Sequence, residues 1–179
     1  MTQSRMLTMT LFILLGLFIA IQWVPYGHDH APPADGTLVN WDSPATEALA
    51  KRACFDCHSN RTAWPWYASI APISWRIQTH VNRGRKDLNF TAFDPASKDV
   101  AEAAGEAGGT VTRGEMPPND YLLAHPEARL TATEKRALVA GLDRTFAAFT
   151  GRRAKNTLSG AVGSSEGAER GERGEAKGK

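Results

Sequence analysis

Both cysteines of the 179-residue chain lie within one pentapeptide, Cys54-Phe55-Asp56-Cys57-His58. Two thiols three positions apart can form thioethers with the two vinyl groups on one side of a porphyrin, and the histidine that follows can then ligate the iron. The pattern therefore predicts one covalent haem c bound through Cys54 and Cys57, with His58 as the proximal iron ligand. This constrains the fold, because the surrounding chain must bury a large flat hydrophobe.

Three other kinds of site could use the same two cysteines: a short disulfide, a thioredoxin-like redox pair, or half of a zinc site. A thioredoxin-like pair is expected in a βαβ context, which the sequence lacks. A zinc site needs further cysteine or histidine ligands at the right spacing, and the sequence has no second C-x-x-C. Haem attachment is therefore favoured.

The length and a formal net charge of +2 at pH 7 suit one modest domain with extensions. Proteins that bind nucleic acid concentrate basic charge on one face, so this near-neutral balance predicts no nucleic-acid partner. The haem motif uses both cysteines, which leaves none for a structural disulfide. Whether the chain works in an oxidising or a reducing compartment must therefore be inferred from its N-terminal targeting segment.

Residues 1–26 are predicted to form a transmembrane signal anchor. The apolar run over residues 6–24, at a rise of 1.5 Å per residue, roughly matches the ~30 Å hydrocarbon core of a bilayer. Trp23 and Tyr26 lie where an aromatic belt at the outer interface is expected, and Pro25 can end the helix. The alternative is a cleaved signal peptide, but no A-x-A site follows the run and the run is longer than a typical signal-peptide core.

Arg5 precedes the apolar run and indicates how the anchor crosses the membrane. The positive-inside tendency places Arg5 in the cytoplasm and the rest of the chain on the periplasmic or extracytoplasmic side of the bacterial cytoplasmic membrane. A cleaved signal peptide would place the chain on the same side, where c-type haem is attached in bacteria. Both interpretations therefore predict a haem domain outside the cytoplasm.

Composition divides the rest of the chain into three segments. Residues 27–42 carry prolines, glycines and aspartates and are predicted to be an extended linker. Residues 43–149 are predicted to form the compact c-type haem-binding domain. Residues 150–179 are rich in Gly, Ser, Glu, Lys and Arg. They cannot bury enough apolar surface to offset the entropy of ordering, so this tail is predicted to be disordered.

The first half of the domain has two helix signals. Pro44 follows a good N-cap residue and predicts a helix that runs over residues 45–53 into the haem cysteines. Pro72 predicts the start of a second helix, which Gly84 is expected to weaken.

The second half has two more helix signals, and strand signals are nearly absent throughout. A third helix is possible over residues 97–112, although its glycines make it a poor isolated helix. Thr131 and Glu134 form a T-x-x-E capping box that predicts the start of the last helix. An apolar stripe then follows along it: Leu138, Leu142, Phe146 and Phe149. The sequence therefore predicts an all-α, small cytochrome c-like domain around one covalent haem.

Met116 is the predicted sixth ligand of the iron. It lies in a proline-flanked loop ahead of the last helix, where fixed φ angles can hold a thioether toward the iron with little entropy to lose. Filling a gap in the core is the alternative role for Met116. His80 is the alternative ligand, and His125 is better suited to a propionate or to fixing the loop. His28 and His30, in the linker, are expected to be solvated.

Aromatic side chains follow the haem motif closely and are predicted to wall the porphyrin. An ordinary aromatic core is the other interpretation of the same residues, which are Trp64, Trp66, Tyr67 and Trp75. Three arginines could pair with the haem propionates or form a solvated face, namely Arg76, Arg83 and Arg85.

Beyond the pentapeptide, the chain resembles the membrane-anchored bacterial haem-binding domain family over roughly residues 22–142. The motifs that carry the resemblance are Trp41-Asp42-Ser43-Pro44, Cys54 to Asn60, Trp64-Pro65-Trp66-Tyr67, Ile70-Ala71-Pro72, Gly84-Arg85, Leu88-Asn89-Phe90, Gly114 to Pro118, Tyr121, His125-Pro126 and Leu130-Thr131. The resemblance implies a c-type haem bound through Cys54, Cys57 and His58, and it implies no known reaction. The glycines between Gly105 and Gly109 depart from the firmer helix expected there.

The function predicted from the sequence is one-electron transfer at the outer face of the cytoplasmic membrane, by a carrier rather than an enzyme. Two axial protein ligands favour electron exchange over substrate chemistry, and the expected partners are redox proteins of the membrane or periplasm. The alternative is a haem-based sensor or ligand-binding module with a displaceable sixth ligand. Peroxidase-like activity would require an open iron beside a distal acid–base pair, and no candidate pair stands out.

Overall fold

The structure, a computed structural model, describes residues 3–149. The predicted disordered tail at 150–179 lies outside the described residues. Residues 3–149 contain helices and no strand, so the prediction of an all-α chain is confirmed. The helices are α1 (Gln3–Ile21), α2 (Pro44–Ala53), α3 (Phe55–His58), α4 (Ile73–Asp87), α5 (Lys98–Arg113), α6 (Asn119–Ala124) and α7 (Ala132–Thr145), with short 3₁₀ helices at Trp66–Ser69 and Pro126–Ala128.

The described residues group into two compact units that alternate along the sequence. The first unit takes the residues up to Val39 together with Cys54–Phe93, and the second takes Asn40–Ala53 together with the residues from Asp94 onward. The haem motif lies in the first unit. Residues predicted to form the haem domain, 43–149, therefore contribute to both units, which are described in turn.

The first unit begins with α1, which is 19 residues long, has a mean hydropathy of 2.0 and is not buried. Its length and composition allow it to cross a membrane. α1 ends at Ile21, ahead of Pro25, and the backbone continues into a turn in which the N–H of Trp23 donates to the carbonyl of Ala20 at 3.2 Å. The apolar run is thus helical over most of its predicted length.

Part of the predicted linker is extended but pairs with the first unit. The N–H of Gly36 donates to the carbonyl of Thr91 at 2.8 Å, and the N–H of Val39 donates to the carbonyl of Phe90 at 3.0 Å. Both donors come from the segment predicted as an extended linker. Residues 36–39 are therefore fixed beside the loop that follows α4.

Gly84 does not weaken α4 as expected, because the helix continues past it to Asp87. Gly84 is buried, and a Cβ at this position would lie 2.5 Å from the carbonyl oxygen of Cys57. The absent side chain lets the backbone of α4 approach α3 closely. The helical conformation at Gly84 is supported by this packing, which offsets the low helix propensity of glycine.

The second unit contains α2, α5 and α7. α2 starts at Pro44 as predicted, with the hydroxyl of Ser43 accepting from the N–H of Thr46 at 3.2 Å. α5 forms despite its glycines and ends at Arg113. It is capped by Gly114, whose φ of 74° lies in the left-handed region that glycine adopts without strain. Gly141 of α7 lies against Thr46, where any side chain would collide. The predicted apolar stripe of α7 is buried at Leu138, Leu142 and Phe146.

The capping box predicted at the start of α7 is present and also binds a basic residue of α2. The carboxylate of Glu134 accepts from the N–H of Thr131 at 2.8 Å and from its hydroxyl at 2.9 Å, and it pairs with Arg52 at 2.6 Å. The backbone N–H of Thr131, followed by Arg52, lowers the pKa of Glu134 to about 2 from an ordinary value of 4.5.

This low pKa predicts a pH-dependent stability difference between wild type and Glu134→Gln. A carboxyl whose pKa is lower in the folded chain stabilises the fold above its ordinary pKa of 4.5 and loses that contribution as the pH falls through about 2. Glutamine can keep the capping bond but carries no charge. We expect wild type to have the higher urea midpoint, by circular dichroism, at pH 6, and the difference to shrink at pH 3. An equal difference at both pH values would contradict the assignment.

Candidate haem-binding site

The haem motif folds as a single helical turn. Cys54 precedes α3, and its carbonyl accepts from the N–H of Cys57 at 3.2 Å and from the N–H of His58 at 3.0 Å. Residues three apart on a helix lie on one face, so the two cysteines are side by side. No disulfide joins them in the structure. The local backbone therefore presents two neighbouring thiols, followed immediately by the imidazole.

The imidazole of His58 is held in one tautomer. Its Nδ1 lies 2.9 Å from the carbonyl oxygen of Leu88, and a carbonyl oxygen only accepts. Nδ1 therefore carries the proton, and Nε2 keeps the lone pair that an iron ligand needs. Burial also lowers the pKa of His58, which favours the neutral ring.

The end of α4 positions the carbonyl that holds His58. The N–H of Leu88 donates to the carbonyl of Gly84 at 2.9 Å, and the N–H of Phe90 donates to the carbonyl of His58 at 2.7 Å. The ring of Phe90 lies 5.8 Å from the imidazole and 5.6 Å from the ring of Phe55. His58 is thus hydrogen-bonded at its ring and at its backbone, with two buried aromatic rings nearby.

The remaining alternatives for the cysteine pair are disfavoured by the surroundings. Burial, with a smaller contribution from Cys57, raises the pKa of Cys54 to about 12. The attacking cysteine of a redox pair instead has a lowered pKa. No cluster of three or more His, Cys, Asp or Glu residues within 3–149 could complete a zinc site. The geometry favours haem attachment over both.

A polar network missed by sequence reasoning fixes the turn after the motif. Asn60 is buried, its N–H donates to the hydroxyl of Thr91 at 2.8 Å, and its amide bonds the carbonyl of Ala34 and the amide of Asn89, each at 2.8 Å. Such a residue joins three segments that are distant in sequence. Its only sequence signal is its place directly after the pentapeptide and Ser59.

Arg85, one of the three candidate propionate partners, donates hydrogen bonds to the residues of this turn. Its Nε donates to the carbonyl of Ser59 at 2.8 Å, and its Nη2 donates to the hydroxyl of Thr62 at 2.9 Å. Burial lowers the pKa of Arg85. Arg85 therefore braces the segment that follows His58, a role the sequence did not reveal.

The aromatic residues predicted to wall the porphyrin have different neighbours in the structure. Trp64 stacks on His30 with ring centroids 4.1 Å apart, and Trp66 is 80% exposed with its ring edge-on to Tyr67 at 5.7 Å. The prediction that His30 is solvated is wrong, because this stack half-buries its ring. His28 is exposed, as expected. Trp75 is half-buried, and its Nε1 is buried without a hydrogen-bond partner among the described residues.

The candidate sixth ligands lie in different parts of the fold. Met116 belongs to the second unit, in the loop after α5, and is 40% exposed. His80 is half-buried in the first unit, one helical turn before Gly84 and so on the side of α4 that approaches α3. His125 stacks on Tyr121 at 4.3 Å, and its Nδ1 lies 3.0 Å from a carboxylate oxygen of Glu127. The sixth ligand remains a prediction.

The residues of the first unit fit a haem. Two adjacent thiols match the two vinyl groups, and the neutral imidazole of His58 keeps Nε2 for the iron.

Comparison with known proteins agrees with this geometry. A family model described as a haem-binding domain matches residues 16–144. No curated protein and no solved structure is similar enough to count as a match. The matched range covers most of the chain, including the pentapeptide, α4 and the Met116 loop. The chain therefore belongs to the haem-binding domain family.

Proposed function

We propose that this haem-binding protein is a membrane-anchored monohaem c-type cytochrome that carries one electron at the outer face of the cytoplasmic membrane. The bond between Nδ1 of His58 and the carbonyl of Leu88 carries the proposal, because it prepares a neutral imidazole with Nε2 available as an axial ligand. A haem c, when bound, supplies a one-electron couple between ferrous and ferric iron.

Each residue of the motif has a defined part in this proposal. Cys54 and Cys57 would hold the cofactor through thioethers, so that it would stay bound in both oxidation states. The Leu88 carbonyl orients the His58 ring and makes it a stronger donor to the metal. Met116 would supply the second protein ligand of the iron, which would leave no open site for substrate and favour electron exchange.

The membrane part of the proposal rests on α1. This helix exposes its large apolar side chains along its length, and its 19 residues roughly match a hydrocarbon core. Anchoring confines the haem to the membrane surface, where redox proteins of the membrane or periplasm are the partners. Arg5, which precedes the apolar run, sets the orientation.

Carbon monoxide binding to the reduced protein tests the carrier function. We expect the purified full-length protein to keep its reduced absorption spectrum when carbon monoxide is added, because two protein ligands saturate the iron. The same sample in concentrated urea, in which the sixth ligand is released, is the positive control and should bind the gas. Rapid binding by the native protein would overturn the proposal.

One observation favours a second function. The helix before the Met116 loop carries Gly105, Gly108 and Gly109, whose low helix propensity makes the position of the predicted sixth ligand less firmly fixed. A displaceable ligand of this kind is what a haem-based sensor of small molecules requires. Rapid carbon monoxide binding together with a change in helical content would support this function.

A further inference from the structure

The end of α1 is bonded directly to the loop before α4. The side-chain amide of Gln22, which immediately follows α1, donates to the carbonyl of Ala71 at 3.0 Å, and its oxygen accepts from the N–H of Ala71 at 3.0 Å. The same amide nitrogen donates to the carbonyl of Phe18 at 3.0 Å. One side chain thus satisfies both backbone groups of the buried Ala71 and ties them to the last turns of the helix.

Two further contacts hold the chain against α4 as it leaves the helix. The hydroxyl of Tyr26 lies 3.0 Å from the hydroxyl of Thr79. Gly27, at a φ of 84°, lies so close to the backbone of Ser74 that a Cβ would be 2.8 Å from its carbonyl carbon. The start of α4 is therefore fixed beside the end of α1, with no flexible tether between them.

Three exposed apolar side chains of the first unit lie near this junction in sequence, whereas Leu38, which is 54% exposed, does not. Beyond α1, Trp23 is 84% exposed, Trp66 is 80% exposed and Ile73 is 49% exposed. Trp23 is adjacent to Gln22, whereas Trp66 and Ile73 flank Ala71 in sequence. An indole left so exposed is unusual for a soluble surface, since tryptophan is among the more buried residue types on average.

We propose that Trp23, Trp66 and Ile73 form an interfacial patch that contacts the lipid-headgroup layer of the bilayer. The inference rests on the proposed spanning of the membrane by α1, which places Gln22 at the outer boundary of the hydrocarbon core. Because Gln22 bonds Ala71, the loop that carries Trp66 and Ile73 lies at the same depth. Tryptophan prefers this layer because the indole ring has an apolar body that contacts lipid and a polar N–H that can bond water or headgroups.

As a consequence, the patch fixes the position of the haem motif relative to the membrane surface. α4 begins at Ile73 in this patch and reaches Gly84, which contacts Cys57 of the motif. Eleven residues at 1.5 Å each place Gly84 about 16 Å along the helix from the patch. The motif is then held within a short distance of the bilayer surface, by lipid contact in addition to the anchor.

Photo-crosslinking in native membranes tests the patch. Benzoylphenylalanine replaces Trp66 or Ile73 in the full-length chain, with Lys86→benzoylphenylalanine near the far end of α4 as the matched control. All three positions are exposed, so the substitutions leave the core intact. After irradiation, intact mass distinguishes a phospholipid adduct from a protein adduct. We expect lipid adducts at positions 66 and 73 in several-fold excess over position 86.

The outcomes separate this inference from the proposed anchoring. Protein adducts, no adducts, or lipid adducts equal to those at Lys86 would overturn the patch. Extraction of the membranes with alkaline carbonate checks α1 independently. A protein that stays in the membrane but gives no lipid adduct at 66 and 73 overturns the patch alone. A protein released by carbonate overturns both the anchoring and the patch that rests on it.

Discussion

Gly84→Val should abolish most haem attachment and destabilise the first unit. A Cβ at this position lies 2.5 Å from the carbonyl oxygen and 2.9 Å from the carbonyl carbon of Cys57. Both atoms are backbone, so the contact is relieved only by moving α3 or α4. Forced overpacking costs about 3 kcal/mol at such a site. It also displaces the turn that aligns the two cysteines and the carbonyl that orients His58. Covalent haem per protein, measured as the pyridine haemochrome, and the urea midpoint should both fall.

Gly109→Ala is a control for placing a side chain at a helical glycine. Gly109 is also a glycine inside a helix, but a Cβ there first meets Nη1 of Arg113 at 3.0 Å, the movable end of a long side chain. Alanine raises helix propensity by about 1 kcal/mol relative to glycine. Haem content should stay at the wild-type level, and the urea midpoint should stay the same or rise. Full haem loading by Gly84→Val would contradict the role assigned to Gly84.

Local signals explain why much of the fold was predictable. Pro44, Pro72 and the capping box at Thr131 act on their own neighbours, and α2, α4 and α7 begin next to them. The pentapeptide is equally local, because its spacing alone puts two thiols on one helical turn. Features set within one or two turns of chain can be predicted from the residues concerned.

The contacts that complete the site join residues far apart in sequence. Asn60 bonds Ala34 and Thr91, and Gln22 bonds Ala71 across 49 positions. Gly84 looked like a weak point of its helix because its partner, the Cys57 backbone, is not visible in the local pattern. His30 was expected in solvent because its partner, Trp64, lies in another segment. Long-range pairing of this kind leaves no periodicity to detect.

Met116→Ala should remove the sulfur-to-iron charge-transfer band from the ferric spectrum and leave a high-spin or water-ligated iron. The reason is that alanine has no donor atom to replace the thioether at the sixth position. Met116 is 40% exposed, so the substitution should leave the fold and the covalent haem content unchanged. His80→Ala, made in the same background, should keep the band. The ferric absorption spectra of the two variants and wild type, at equal haem concentration, give the comparison.

An unchanged spectrum for Met116→Ala would overturn this assignment, and loss of the low-spin state in His80→Ala would move the ligand to His80. That histidine has a structural argument of its own, because it lies one turn before Gly84 on the side of α4 that approaches α3. The two ligands also predict different redox behaviour. A methionine–histidine pair raises the reduction potential relative to two histidines. The spectrum that identifies the ligand therefore also indicates whether the haem is poised to accept electrons from donors of high or of low potential.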